Sequence, residues 1–227
     1  MMQLLLETAT EVCSVAVAHH DRILAEVTAS APQQHASHLT LLIQEVLEQA
    51  DCPITELEEV VLSDGPGSYT SLRVGAATVK GLCLALPGLQ LSVVPTLAAL
   101  AWAAPTDGVD RILATVNSRR GEVYGQVFAA DTRARESEVM NVRLKDSQWR
   151  GKLLNGRGLG KIRVCGPGQD RIREVLDGDN AFSFAAPLAP AARFLLAPAR
   201  RRPAVAAYEP LYLNPPFVTQ SKKKSLL

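Results

Sequence analysis

The chain opens in short alternations of apolar and polar positions. Gln3–Glu7, Val12–Ala18 and Arg22–Ala29 predict three strands, separated by polar breaks at Thr8–Glu11 and His19–Asp21. From His35 to Ala50 the spacing turns helical, with Leu39, Leu42, Ile43, Val46, Leu47 and Ala50 on one face. Glu59–Leu62 predicts a strand that ends on Ser63-Asp64. Tyr69–Leu86 then predicts a helix, Leu91–Val94 a strand and Thr96–Ala104 a third helix.

Pro105-Thr106-Asp107-Gly108 reads as a seam. Beyond it, Arg111–Ser118 and Gly121–Ala130 predict two strands around a tight polar turn, and Glu136–Leu144 adds a third. The opening order is thus repeated in outline. After residue 145 the pattern weakens among Gly, Pro and Arg; Ala189–Leu196 predicts a helix, Pro210–Leu213 an extended segment and Ser221–Leu227 a solvated tail. Strands that meander and then alternate with helices predict an α/β fold of two ribonuclease-H-like, actin-like (ASKHA) lobes, with mixed sheets flanked by helices. The division expected is 1–104 for the first lobe and 105–227 for a smaller, degenerate second lobe with a basic tail.

Composition narrows the function. The 227 residues are 47% hydrophobic and 21% charged, enough for real cores, and the net charge of +1 places no average pull toward nucleic acid or membrane. The start, MMQLLLETATEV, is too short in apolar residues for a signal peptide or a membrane span, so the expected location is cytoplasmic, with no membrane partner. Cys13, Cys52, Cys83 and Cys165 are scattered without a C-x-x-C pair, which reads as reduced thiols.

The stretch SDGPGSYTSLRVGAATVKGL, Ser63–Leu82, is the main candidate for chemistry. A P-loop needs Gly-Lys-Ser/Thr, yet the first lysine is Lys80; a dinucleotide fingerprint needs a third glycine where Thr70 stands. Glu7, Gly65, Gly67 and Ser68 remain a weak phosphate or nucleotide candidate, because a capped helix start offers backbone donors. The helix itself carries two stripes. Leu72, Ala76, Val79, Cys83 and Leu86 suit packing on a sheet, while Ser71, Gly75, Thr78 and Leu82 form a smaller-sided stripe with Arg73 and Lys80 at its edge. With His38 and Leu41 of the preceding helix, that second stripe is expected to be a partner interface.

Other chemistry is thin. His35 and His38 sit three apart with no third ligand nearby, and H-E-x-x-H is absent, so no metal site is expected. Glu7 and Asp64 end neighbouring strands, where folds of this kind gather carboxylates around Mg²⁺, but two acids without a third make a poor nuclease. No G-x-S-x-G elbow occurs, and no catalytic residue is assigned. Arg119-Arg120-Gly121-Glu122-Val123-Tyr124 reads as a charged hairpin turn.

ETATEVCSVAV, the H-A-S-H-L helix, GPGSYTSLRVGAATVKGL, SRRGEVY and the closing EPLYLN together resemble the TsaB (YeaZ) family. The resemblance is specific over about the first 125 residues, thin to about residue 205, and returns at the end. It implies two actin-like lobes and a non-catalytic paralogue of TsaD, the threonylcarbamoyltransferase that forms N6-threonylcarbamoyladenosine beside the anticodon of tRNAs reading ANN codons. It implies a TsaD-like partner, a TsaE-like ATPase in the complex, homodimerisation as an alternative, and tRNA as an indirect partner. It also implies that the helix after the glycine turn, with the one before it, packs against the partner. No cofactor of its own is implied; nucleotide or Mg²⁺ is expected, if anywhere, at the partner junction. The metal-binding H-x-x-x-H of TsaD has no counterpart here, and Ser71 and Glu7 stand where the family commonly has Gly and Asp. The competing expectations are a stand-alone actin-like kinase or phosphatase, marked by a second glycine loop plus a catalytic Asp in the second lobe, and then a metallopeptidase or nuclease.

Overall fold

The computed structural model describes residues 1–29, 35–154, 160–176, 178–186 and 188–213. The expected tail after residue 213 and most of the glycine-rich run at 156–160 lie outside them, as does the His35 side chain.

The first sheet comprises β1 (Met2–Glu7), β2 (Ser14–His19), β3 (Arg22–Thr28), β4 (Glu59–Ser63) and β5 (Gln90–Val94), in the order β3-β2-β1-β4-β5. The first three strands are antiparallel, while β4 and β5 run parallel to β1. Both faces are covered, which explains why the middle of β1 is a plain leucine run. Leu4 and Leu6 face α1 (His35–Gln49) and α2 (Tyr69–Ala85), and Leu5 faces the opposite layer.

The second sheet repeats this plan. It contains β6 (Arg111–Asn117), β7 (Glu122–Ala129), β8 (Met140–Arg143), β9 (Ile162–Cys165) and β10 (Phe182–Phe184), ordered β10-β9-β6-β7-β8. Numbered within each lobe, both orders are 3-2-1-4-5. The second lobe is therefore a complete copy built from short pieces: α4 (Trp149–Leu154) and α5 (Gln169–Val175) cover one face of its sheet.

The helix α3 (Thr96–Ala103), TLAALAWA, joins the lobes. A helix apolar on all sides is usually buried on most of them, and here Thr96–Ala101 are buried while Trp102 is left 42% exposed. Ala99 packs with Leu5, Val61 and Val94 of the first sheet, while Leu97, Leu100 and Ala101 pack with Ile112, Ala114 and Phe128 of the second.

The expected boundary at residue 105 fails at the other end of the chain. Residues 191–211 return to the first lobe, where Ala192 and Leu195 join the core beneath β1 and Tyr208 is buried beside the α1–α2 layer. Their grip is polar. Arg201 exchanges backbone hydrogen bonds with Val93, Arg193 pairs with Glu26, and Arg200 pairs with Glu59, which is 1% exposed. The expected helix at Ala189–Leu196 is a single 3₁₀ turn over Ala192–Leu195.

Part of the expected partner interface is also corrected. Ser71 and Gly75 are buried in this chain, with Gly75 facing the β1–β2 turn and β4. A Cβ there would run into Thr8 Oγ1 and stand 2.9 Å from Leu62 Cδ1. Leu82 packs partly on the first-lobe core, and the Thr78 hydroxyl donates to the Val74 carbonyl at 2.9 Å. The small stripe exists because the helix approaches its own sheet closely. The outward face is instead Arg73, Ala77, Gly81 and Leu84, the last 86% exposed, with Leu41 of α1 56% exposed.

Candidate functional site

A cleft of about 680 Å³ separates the lobes. Three segments of the first lobe and three of the second meet there: the β1–β2 turn, the β4–α2 loop and Leu211–Leu213, against the β6–β7 turn, the β9–α5 loop and Ala189-Pro190. The β4–α2 and β9–α5 loops are the same motif, Gly65-Pro66-Gly67 and Gly166-Pro167-Gly168. Gly65 and Gly166 both hold left-handed φ, +95° and +85°. Gly67 abuts the Ala9 carbonyl and Gly168 the Thr115 side chain, so a Cβ at either would clash. These glycines let the first loop lie close on the turn that follows β1 and the second on β6 itself.

Of the phosphate candidates, Gly67 and Ser68 line the cleft, whereas Gly65 is set back against the Leu211 carbonyl and Glu7 is 1% exposed. Four backbone donors around this turn are spent internally. Thr8 N donates to Ser63 Oγ (3.1 Å), Ala9 N to Glu7 Oε1 (2.7 Å), Val12 N to Thr10 Oγ1 (3.3 Å) and Ser68 N to the Ala9 carbonyl (2.7 Å). Ser68 caps α2 by accepting from Ser71 N. A phosphate drawing on those four N–H groups would have to displace their present bonds.

The acids are committed too. Burial pushes the Glu7 carboxyl up to about 7, against the Ala9 amide and the Ser63 hydroxyl, which pull it down. Asp64 is likewise raised by burial, offset by Arg201 at 3.0 Å and the Tyr208 hydroxyl at 3.2 Å, and its backbone carbonyl accepts from Leu211 N. Asp64 therefore anchors the returning chain. Asn117 ends β6 as Glu7 ends β1, and its amide donates to the Pro167 carbonyl at 3.0 Å. A neutral amide in that place neither holds Mg²⁺ nor takes a proton. Burial raises the Cys13 and Cys165 thiols to about 12, which keeps both protonated and unreactive. Among the described residues no three His, Cys, Asp or Glu side chains gather as metal ligands, and no helix is long and apolar enough to cross a membrane.

Sequence reasoning missed Arg171. From α5 its Nη1 donates to the carbonyls of Arg119 (2.8 Å) and Glu122 (2.7 Å), clamping the β6–β7 turn at the cleft mouth. Nothing local in QDRIREV announces this, because the partners lie some fifty positions earlier. On the facing wall Tyr69 and Tyr212 are ring neighbours at 4.9 Å, with the Arg73 guanidinium 4.4 Å over Tyr69.

The duplicated sheets and the shared α3 define a protein of two actin-like lobes facing each other across a cleft. The family profile "TsaD: tRNA N6-adenosine threonylcarbamoyltransferase" matches residues 22–146. The protein "tRNA threonylcarbamoyladenosine biosynthesis protein TsaB" of Haemophilus influenzae is 30% identical over 183 residues, 79% of this chain and 69% of that one. Its Escherichia coli namesake is 32% identical over 133 residues, 58% of this chain and 56% of its own length. The solved structure "YeaZ from Pseudomonas aeruginosa" has a TM-score of 0.75 at 24% identity, covering 93% of this chain and 99% of that one. The chain belongs to the TsaB (YeaZ) family, within the wider group that the transferase profile describes.

Proposed function

We propose that this chain is the non-catalytic subunit that binds and supports a TsaD-type transferase forming N6-threonylcarbamoyladenosine next to the anticodon of tRNAs reading ANN codons. The relatives named for threonylcarbamoyladenosine biosynthesis support the pathway. The observation that carries the subunit role is the outer face of α2, where Ala77, Gly81 and Leu84 form an exposed strip of small and apolar residues. Arg73 and Lys80 flank it, and Leu41 and His38 of α1 extend it. Such a face gives a partner helix close approach and a leucine anchor. The partner is the TsaD-like transferase, with a TsaE-like ATPase joining the complex; a homodimer would use the same face in isolation. In this reading the protein has no cofactor of its own, and any nucleotide or Mg²⁺ sits at the partner junction. The setting is the cytoplasm, where tRNA is modified.

The spent donors of the β1–β2 turn and the Asn117 amide weigh against a stand-alone kinase or phosphatase. The test is co-purification with candidate partners, followed by nucleoside mass spectrometry of tRNA from depleted cells. Loss of the modified nucleoside and its return only with both proteins is expected. Normal levels after clean depletion, with no second copy present, would overturn the assignment.

A further inference from the structure

The net charge of +1 conceals a division. Residues 1–110 hold 3 of the 24 Lys/Arg and 13 of the 23 Asp/Glu, while residues 111–186 hold 14 basic and 9 acidic side chains. The returning segment cancels part of this, since Arg193, Arg200 and Arg201 pair with Glu26, Glu59 and Asp64. The first lobe with residues 188–213 still carries −7, against +5 on the second. A split of this size points to an anionic partner for one half.

Part of the excess lies beside the cleft, which Arg119 and Arg171 line. Leu144 N donates to the Gly121 carbonyl, so residues 143–145 lie beside the Arg119–Glu122 turn. Arg120 and Lys145 are exposed there and form no ion pair among the described residues. The neighbouring acids are occupied: Glu122 by Asn141 and Arg143, Asp146 by Lys152. Glu11 is the acid on the facing wall. A second, separate observation concerns aromatics: of only four tyrosines in the chain, Tyr69, Tyr124 and Tyr212 line this cleft, and Tyr69 and Tyr212 are partly exposed in it while Tyr124 is buried. Free cations along a rim and tyrosines behind it are the means by which proteins hold a phosphate backbone while unstacked bases lie on rings.

We propose that the β6–β7 rim, with Arg120 and Lys145 at its edge and the tyrosine-lined cleft behind it, is an RNA-binding surface that tracks a strand of the tRNA. The choice of tRNA as the RNA rests on the proposed function; the surface itself rests on charge and aromatic placement.

The experiment titrates the full-length chain into a fluorescently labelled, unmodified tRNA reading an ANN codon, by anisotropy at several salt concentrations. Arg120→Glu/Lys145→Glu should weaken binding by roughly tenfold or more and lower the slope of log K against log salt by about 2. Tyr212→Ala should weaken it by roughly fivefold or more with the slope unchanged. Gln90→Glu, an exposed position at the start of β5, should leave RNA binding as it was. Because both rim side chains are exposed, the variant folds, and its melting curve verifies this; Arg120→Ala is the milder substitute. Equal affinity of wild type and rim variant overturns the proposal, as does no binding at low salt. So does loss of transferase binding with RNA affinity intact, which would make the rim a protein contact. Displacement of the tRNA by equimolar AMP would make the cleft a mononucleotide pocket and equally overturn it. The readouts separate the two claims: if the rim variant binds tRNA normally while depletion still removes the modified nucleoside, the rim fails and the function stands.

Discussion

Two glycines of one helix show how much a single position decides. At Gly75 a side chain meets Thr8 and Leu62, whereas at Gly81 nothing lies within 4 Å. Gly75→Ala should therefore destabilise the protein by about 1–3 kcal/mol through overpacking. Gly81→Ala should be neutral or add up to about 1 kcal/mol through helix propensity. Urea unfolding of both variants decides this, and equal shifts would refute the packing assigned here. Glu7 gives a pH signature. Its folded-state carboxyl titrates near 7 rather than at 4.5, so between those values the folded protein holds more protons than the unfolded chain. The contribution of Glu7 to stability is therefore greatest below about 4.5, falls as pH rises through that window and stays low above 7. Glu7→Gln keeps an acceptor for Ala9 N and removes the titration. It should flatten the profile and gain at most about 3 kcal/mol at pH 8. An unchanged slope would show that Glu7 does not titrate there.

At the scale of elements, the outer face of α2 is where the proposed partner contact becomes measurable. Leu84→Glu should lower transferase affinity by about thirtyfold or more, a loss of about 2 kcal/mol, with the melting temperature of the isolated chain unaltered. Calorimetry and thermal unfolding read the two outcomes separately; normal binding would move the contact elsewhere. The existence of α1, α2 and the first-lobe strands was legible because each is long enough to show its period. The rotation of α2 was not. Ser71 and Gly75 look alike in sequence whether small groups serve a foreign helix or admit the chain's own turn, and only the position of Thr8 distinguishes the two cases. In the second lobe β8, β9 and β10 have three or four residues and α4 and α5 six or seven, below the length at which periodicity speaks. The repeated Gly-Pro-Gly was visible as composition, but its role facing the cleft depends on a topology that pairs distant strands. The Arg171 clamp left no local trace for the same reason.

For the whole molecule, the decisive feature is that the chain crosses to the second lobe and comes back. The return is held by charge in a buried place. Glu59, 1% exposed, accepts from Arg200 Nη1 and from the Ser92 hydroxyl, while Arg200 Nη2 reaches Gln3 Oε1 at 3.2 Å. Removing one partner of such a pair leaves a charge without compensation, which costs about 3–5 kcal/mol. Arg202 touches the same carboxylate at 3.5 Å from a largely exposed position, where ion pairs contribute less than about 1 kcal/mol. Arg200→Met should thus destabilise the protein severely and Arg202→Met hardly at all. Pairing Arg200→Met with Glu59→Gln should recover much of the loss, since the orphaned charge is then gone. The consequence reaches the cleft, because the segment that Arg200 anchors continues to Tyr208, to the Asp64–Leu211 bond and to Tyr212 on the cleft wall. If the anchor works as described, mild denaturant should release residues 199–213 in Arg200→Met before the sheets open. Hydrogen exchange would then show early loss of protection at Arg201 and Leu211. Equal effects of the two arginine substitutions, or simultaneous loss of protection throughout the first lobe, would mean that burial of Tyr208 and Leu195 rather than the ion pair holds the return in place.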